Sequence, residues 1–104
     1  MIRILLACAG GMSTSLLMTK IETEAEKQGI EVTVEAHPES EVEDLIGTFD
    51  VLLLGPQVRY VLPAMKKMLA NIAPVEVINM QDYGTMNGAK VLETALNIYR
   101  EFHK

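Results

Sequence analysis

The apolar positions of this chain fall in short blocks whose period switches between two values. Ile2-Arg3-Ile4-Leu5-Leu6-Ala7 is a nearly unbroken apolar run ending in the glycine-containing segment Cys8-Ala9-Gly10-Gly11, which predicts a central strand buried on both faces. From Ser15 to about Gln28 the period becomes helical. Leu17, Ile21 and Ala25 recur on one face, Glu22, Glu24, Glu26 and Lys27 lie outside it, and Gly29 is the stop. Ile30-Glu31-Val32-Thr33-Val34-Glu35-Ala36 alternates, as an edge strand with one wet face does, and Pro38 ends it. Between Glu39 and Gly47 only Val42, Leu45 and Ile46 point to a core, so this acidic stretch predicts a short, weak helix. Asp50-Val51-Leu52-Leu53-Leu54-Gly55 is a second continuous strand, halted by Gly55-Pro56. Pro63 suits the first turn of a third helix with Met65, Met68 and Leu69 inward and Lys66 and Lys67 outward. Asn71 to Pro74 closes it. Val75-Glu76-Val77-Ile78 makes a fourth strand. Val91, Leu92, Ala95, Ile98, Tyr99 and Phe102 make a final helix from about Gly88.

Strands that alternate with helices imply an α/β fold: a doubly wound parallel sheet with helices on both faces and right-handed crossovers. The strand order expected for an interior first strand is 2-1-3-4. Ligands of such sheets gather beyond the carboxyl ends of the strands where the order reverses, here between the first and third strands. The loops that leave those strands begin at Cys8 and Gly55. They would share one crevice.

Composition narrows the class. At 104 residues and 49% hydrophobic content the chain is expected to form one domain, residues 1–104, around a single core. Its net charge of −5 argues against a nucleic-acid partner. No apolar run approaches the roughly 18 residues of a membrane span, and Met1-Ile2-Arg3 leads straight into a strand, so a soluble cytoplasmic protein without membrane insertion is expected, and the lack of an obvious exposed apolar stripe makes a monomer the default. The single cysteine has no partner for an internal disulfide or a Cys-x-x-Cys redox pair. With two histidines elsewhere it makes no zinc-ligand pattern, and no metal or other cofactor is expected.

That cysteine stands where an anion site is expected. A loop wrapping onto a helix N-terminus meets unpaired backbone N–H groups and the positive end of the helix dipole. Gly10 and Gly11 let successive N–H groups turn inward, and Ser13, Thr14 and Ser15 add hydroxyl donors or a cap. The run from Ala9 to Ser15, with Met12 within it, is therefore a candidate phosphate-binding loop. Cys8 at its rim is the candidate nucleophile, because a field that favours phosphate also favours thiolate. A lone cysteine at the end of a buried strand is often only a small hydrophobe. Two glycines and three hydroxyl residues directly after it point the other way. Chemically, the loop fits a phosphoryl carrier, a cysteine phosphatase or a non-catalytic anion-binding domain. The low-molecular-weight tyrosine phosphatases have a similar strand, cysteine loop and helix, but need an Arg six residues after the cysteine. Here that position is Thr14, so hydrolytic turnover is poorly supported.

The segment Cys8-Ala9-Gly10-Gly11-Met12-Ser13-Thr14-Ser15-Leu16-Leu17 resembles the phosphocysteine loop of the IIB component of lactose/cellobiose (chitobiose) sugar phosphotransferase systems. The likeness extends through His37-Pro38-Glu39, Asp50 to Gln57, Pro74 to Ile78 and Asp82-Tyr83-Gly84. It implies a phosphotransferase subunit. Its cysteine would accept a phosphoryl group from a phosphohistidine of a IIA component and pass it to a sugar held by the membrane component IIC. The matching residue is Cys8. Met-Ser-Thr-Ser-Leu-Leu resembles the cellobiose or diacetylchitobiose branch and Cys-Ala-Gly-Gly the lactose branch, so β-linked disaccharides are the implied sugars.

Gln57, Arg59 and Tyr60 after the third strand, and Tyr83 after the fourth, are candidates for the crevice rim. Arg59 would supply positive charge or contact an acidic partner, and Tyr60 would donate to a phosphoryl oxygen or simply pack. His37, at the end of the edge strand, is the rival phosphorylation site within the chain. His103 lies on the last turn and is expected to be idle. Met65 and Met68 recur at helical spacing and read as core, whereas Met12 has the character of a partner contact.

Overall fold

The computed structural model describes residues 1–8 and 13–104. Its strands are β1 (Ile2–Cys8), β2 (Val32–Pro38), β3 (Val51–Leu54) and β4 (Val75–Val77), and its helices are α1 (Ser13–Lys27), α2 (Leu62–Met68), α3 (Met80–Gly84) and α4 (Gly88–Phe102). The strands form one parallel sheet in the order β2-β1-β3-β4, as the alternation of periods predicts. β1 is paired on both sides, with Ile4 opposite Val34 and Val51.

Side-chain alternation along the two inner strands divides the core. Ile4, Leu6, Val51 and Leu53 face α1 and α4, where they pack on Leu17, Ile21, Val91, Leu92 and Ala95. Leu5, Ala7, Leu52 and Leu54 face the other way, onto Val42, Val58, Met65 and Leu69. Both inner strands are therefore apolar at every buried position, from Ile4 in β1 and throughout β3, which is why they read as nearly unbroken runs. The same alternation carries Cys8 to the α1 side of the sheet.

Several boundaries differ from those expected, each for a local reason. α1 begins at Ser13, two residues early, because Thr14 is buried within its first turn. Its far end is a Schellman closure: Gly29 takes φ +69°, its N–H donates to Glu26 O, and the N–H of Ile30 donates to Ala25 O at 2.9 Å. Ile30 is thereby spent on capping, so β2 starts at Val32. It runs on to Pro38, which is tolerated because β2 is an edge strand and needs no donor there.

The acidic stretch is not a helix. It forms two short 3-10 turns, Glu39–Glu41 and Glu43–Leu45, pinned by the fully buried Val42. Like charges in each turn and a single deep anchor leave nothing to hold a longer helix. A further 3-10 segment, Pro56–Val61, kinks at Val58 before Pro63 enters the first turn of α2. The short α3 was not expected. Asn79 caps it by accepting from the N–H groups of Gln81 and Asp82 at 2.8 and 3.2 Å.

Candidate functional site

Cys8 closes β1 at the carboxyl edge of the sheet, beside the end of β3. Its side chain is almost entirely buried, at 5% exposure. The Sγ atom lies 3.0 Å from Thr14 Oγ1, in the first turn of α1, and Thr14 is itself 3% exposed. Thr14 is the buried polar side chain of the described core, and the cysteine sulfur satisfies it. The position at which a cysteine phosphatase carries Arg thus holds a neutral hydroxyl turned onto the sulfur. Ser15 is exposed, and its carbonyl accepts from the Thr19 hydroxyl at 3.3 Å. Ser13 heads the helix. The expectations for Ala9, Gly10, Gly11 and Met12 lie outside the described residues.

On the other side of Cys8 is the end of β3. The N–H of Gly55 donates to Ala7 O at 2.8 Å, which draws its backbone against β1. A Cβ on Gly55 would stand 2.9 Å from Gln57 Oε1 and 3.4 Å from Cys8 Cβ. A side chain at position 55 would therefore displace the Gln57 carboxamide, while its contacts with the strand ends would be ordinary. Gln57 is brought to the neighbourhood of the cysteine by this contact.

The remaining rim candidates come together in one groove of about 670 Å³ lined by Gln57, Arg59, Tyr60 and Tyr83, with Pro56, Met80 and Gly84. Tyr83 is buried on its inner wall, and Tyr60, at 71% exposure, stands on its outer one. Sequence reasoning missed Met80, which is 63% exposed at the head of α3. The signal that would have found it is the capping pattern of Asn79 with Asp82 three residues on.

His37 does not join these residues. It lies at the end of β2 with Nδ1 3.0 Å from Glu41 Oε1 and Nε2 3.4 Å from Glu35 Oε1. The hydrogen bond to Glu41 above all, helped by Glu35, raises its pKa above the ordinary 6.5. A ring held between two carboxylates keeps its proton more tightly than a free imidazole, which works against nucleophilic attack on an anionic phosphoryl group. His103 is exposed and packs its ring on Tyr99 and Phe102, while Met65 and Met68 belong to the core as expected. Among the described residues no three metal-ligating side chains converge, and no helix is long and apolar enough to cross a membrane.

Comparison with known proteins gives this arrangement a family. The model of the family "PTS system, Lactose/Cellobiose specific IIB subunit" matches residues 3–94. The chain belongs to this family. A galactose-specific EIIB component of Lactococcus lactis subsp. cremoris and a cellobiose-specific one of L. lactis subsp. lactis are each 45% identical to it over 102 residues, covering 91% of this chain and 94% of the relative. The solution structure of a cellobiose-specific IIB component from Borrelia burgdorferi superposes with a TM-score of 0.79 at 42% identity, over 96% of this chain and 93% of that one. The chain is therefore a IIB component, a phosphotransferase subunit that works with IIA and IIC partners in moving phosphate to sugar.

Proposed function

We propose that this IIB component carries the phosphoryl group on Cys8 as a thiophosphate, acting in the cytoplasm as a single-domain monomer. In the first step the sulfur attacks the phosphorus of a IIA phosphohistidine. The S–P bond forms as the N–P bond breaks, and the thiol proton ends on the released imidazole. In the second step a hydroxyl of a sugar held by IIC attacks the same phosphorus. The O–P bond forms as the S–P bond breaks, and the hydroxyl proton returns to the thiol. The sugars are β-linked disaccharides of the cellobiose, chitobiose or lactose type, a reading supported by the mixed loop sequence and by a relative specific for cellobiose.

The observation that carries this reading is the 3.0 Å contact of Thr14 Oγ1 with the buried Cys8 sulfur. A carrier has to hold a thiophosphate without helping water to attack it. Neutral donors at a helix N-terminus, the role we give Ala9 to Ser15, bind the phosphoryl oxygens but concentrate less positive charge on a hydrolytic transition state than a guanidinium does. No specific observation favours a phosphatase.

The test is phosphorylation by phosphoenolpyruvate, the general phosphotransferase proteins and a IIA component, followed by intact mass. The expected product is the protein plus one phosphoryl group, absent from Cys8→Ser and lost on adding IIC membranes with sugar. A phosphate that persists in Cys8→Ser would overturn the assignment to Cys8, and rapid release of inorganic phosphate without sugar would turn it toward a phosphatase.

A further inference from the structure

Gly55 stands where neither the backbone nor the sheet asks for glycine. Its φ of −62° and ψ of 150° are extended values that any residue adopts. A Cβ there would meet Cys8 Cβ at 3.4 Å and Ala7 O at 3.6 Å, both ordinary contacts. The one group in its way is the Gln57 carboxamide, whose Oε1 lies 2.9 Å from that point. Glycine at a position that alanine could occupy costs stability, because the unfolded chain has more states to lose. What the missing side chain provides is room for the Gln57 amide.

That room lies beside the cysteine. Ala7 pairs with Leu54 and both face away from α1, so the next positions, 8 and 55, are neighbours on the α1 side of the sheet. Gln57 reaches this space by folding back. Pro56 and the buried Val58 fix the turn after β3, and the N–H of Val58 donates to Gly55 O at 3.0 Å, which returns the side chain between them over Gly55. Among the described residues the Gln57 carboxamide makes no hydrogen bond. A carboxamide carries two N–H donors and turns either end inward by rotating its last bond. Two uncharged, uncommitted donors therefore stand next to Cys8 on its β3 side, whereas Thr14 meets the sulfur from α1.

We infer that Gln57 is a phosphoryl-binding residue: with phosphate on Cys8 its NH2 group turns inward and donates to a phosphoryl oxygen on the β3 side, and position 55 is glycine to leave space for that amide. The inference rests on the carrier reading and extends the phosphate site beyond the loop. A thiophosphate spreads its charge over three oxygens. The N–H groups at the start of α1 serve those on one side, and Gln57 serves the oxygen turned toward β3. Being neutral, the amide holds the anion without the concentrated positive charge that would favour attack by water.

The test reads an equilibrium and a resonance. Phosphorylated IIA component of the lactococcal cellobiose system, freed of phosphoenolpyruvate, is mixed with the protein, and the equilibrium constant for transfer onto Cys8 is read from the intact masses of both. Gln57→Ala should lower that constant about tenfold, the effect of one hydrogen bond to a charged group at a solvated site. Gly55→Ala should lower it by a similar factor while its thermal midpoint is no lower than the parent's. The double variant should be no worse than either single, because both remove the same contact. In isotope-labelled parent, phosphorylation should move the Gln57 side-chain NH2 protons downfield, and in Gly55→Ala it should not. Losses that multiply in the double variant, or a Gln57 amide that does not respond to phosphorylation, would overturn the contact. A parent that takes no phosphate on Cys8 would overturn the carrier reading and this inference with it. Transfer to the parent and to Gln57→Ala with the same equilibrium constant would overturn this inference alone.

Discussion

At the scale of single residues the chemistry rests on a pair, Cys8 and Thr14, whose side chains bury each other. Thr14→Val keeps the shape and removes the hydroxyl, leaving the sulfur without its hydrogen-bond partner. One neutral hydrogen bond contributes about 1 kcal/mol, so phosphoryl transfer to Cys8 at saturating donor is expected to slow by roughly fivefold, with a fall in the thermal midpoint of no more than about 5 °C. Thr14→Ser should restore most of the rate. Quenched-flow phosphorylation read by intact mass checks both, and an unchanged rate in Thr14→Val would remove Thr14 from the site. The sequence made the cysteine, its following loop and the absence of a loop Arg legible, since all three are local. It did not make legible that Thr14 turns inward onto sulfur. A threonine near a helix start reads equally well as a cap facing solvent, and only the position of β1 under α1 decides between them.

At the scale of elements the helix that carries Thr14 is positioned by how closely α1 and α4 cross. A Cβ on Gly88, the first residue of α4, would lie 2.5 Å from the backbone C and O of Lys20. These are backbone atoms of a helix that also carries Thr14 and cannot retreat singly. Gly88→Ala should therefore push the two helices apart and destabilise the fold by about 2 kcal/mol, the usual cost of overpacking. In a domain of this size that lowers the thermal midpoint by roughly 10 °C. A midpoint equal to the parent's in a melting curve would show that the crossing has slack. The strands were legible wherever burial imposed a period: β1 and β3 are apolar on both faces, and β2 alternates because its outer face is wet. Elements set by a cap or by one anchor were not. α3 spans only Met80–Gly84 and depends on Asn79, and the Glu39–Leu45 turns depend on Val42. Neither is long enough to display a period.

At the scale of the whole molecule, two charged groups near opposite ends of the sheet make its stability depend on pH in opposite senses. Near the amino ends of the strands Asp50 accepts from Arg3 N, Nε and Nη2 at 2.8, 3.1 and 3.0 Å, and these bonds hold its pKa below the ordinary 3.8. The folded form thus releases this proton more readily than the unfolded chain. The contribution is present above about pH 3.8 and is lost as pH falls through the folded value below it. At the carboxyl ends His37 between Glu41 and Glu35 has its pKa raised above 6.5. The folded form binds that proton more tightly, so its contribution is complete below about pH 6.5 and disappears as pH rises through the folded value. Ala7, opposite His37, and Arg3, bound to Asp50, are separated along β1 by roughly 13 Å, so the two effects should add. Thermal midpoints of the parent, Asp50→Asn and His37→Gln measured from pH 3 to 9 check this. The difference between parent and His37→Gln should shrink above pH 6.5, and the difference between parent and Asp50→Asn should shrink below pH 4. A parent-minus-His37→Gln difference that is flat with pH would mean that the carboxylates do not grip the ring.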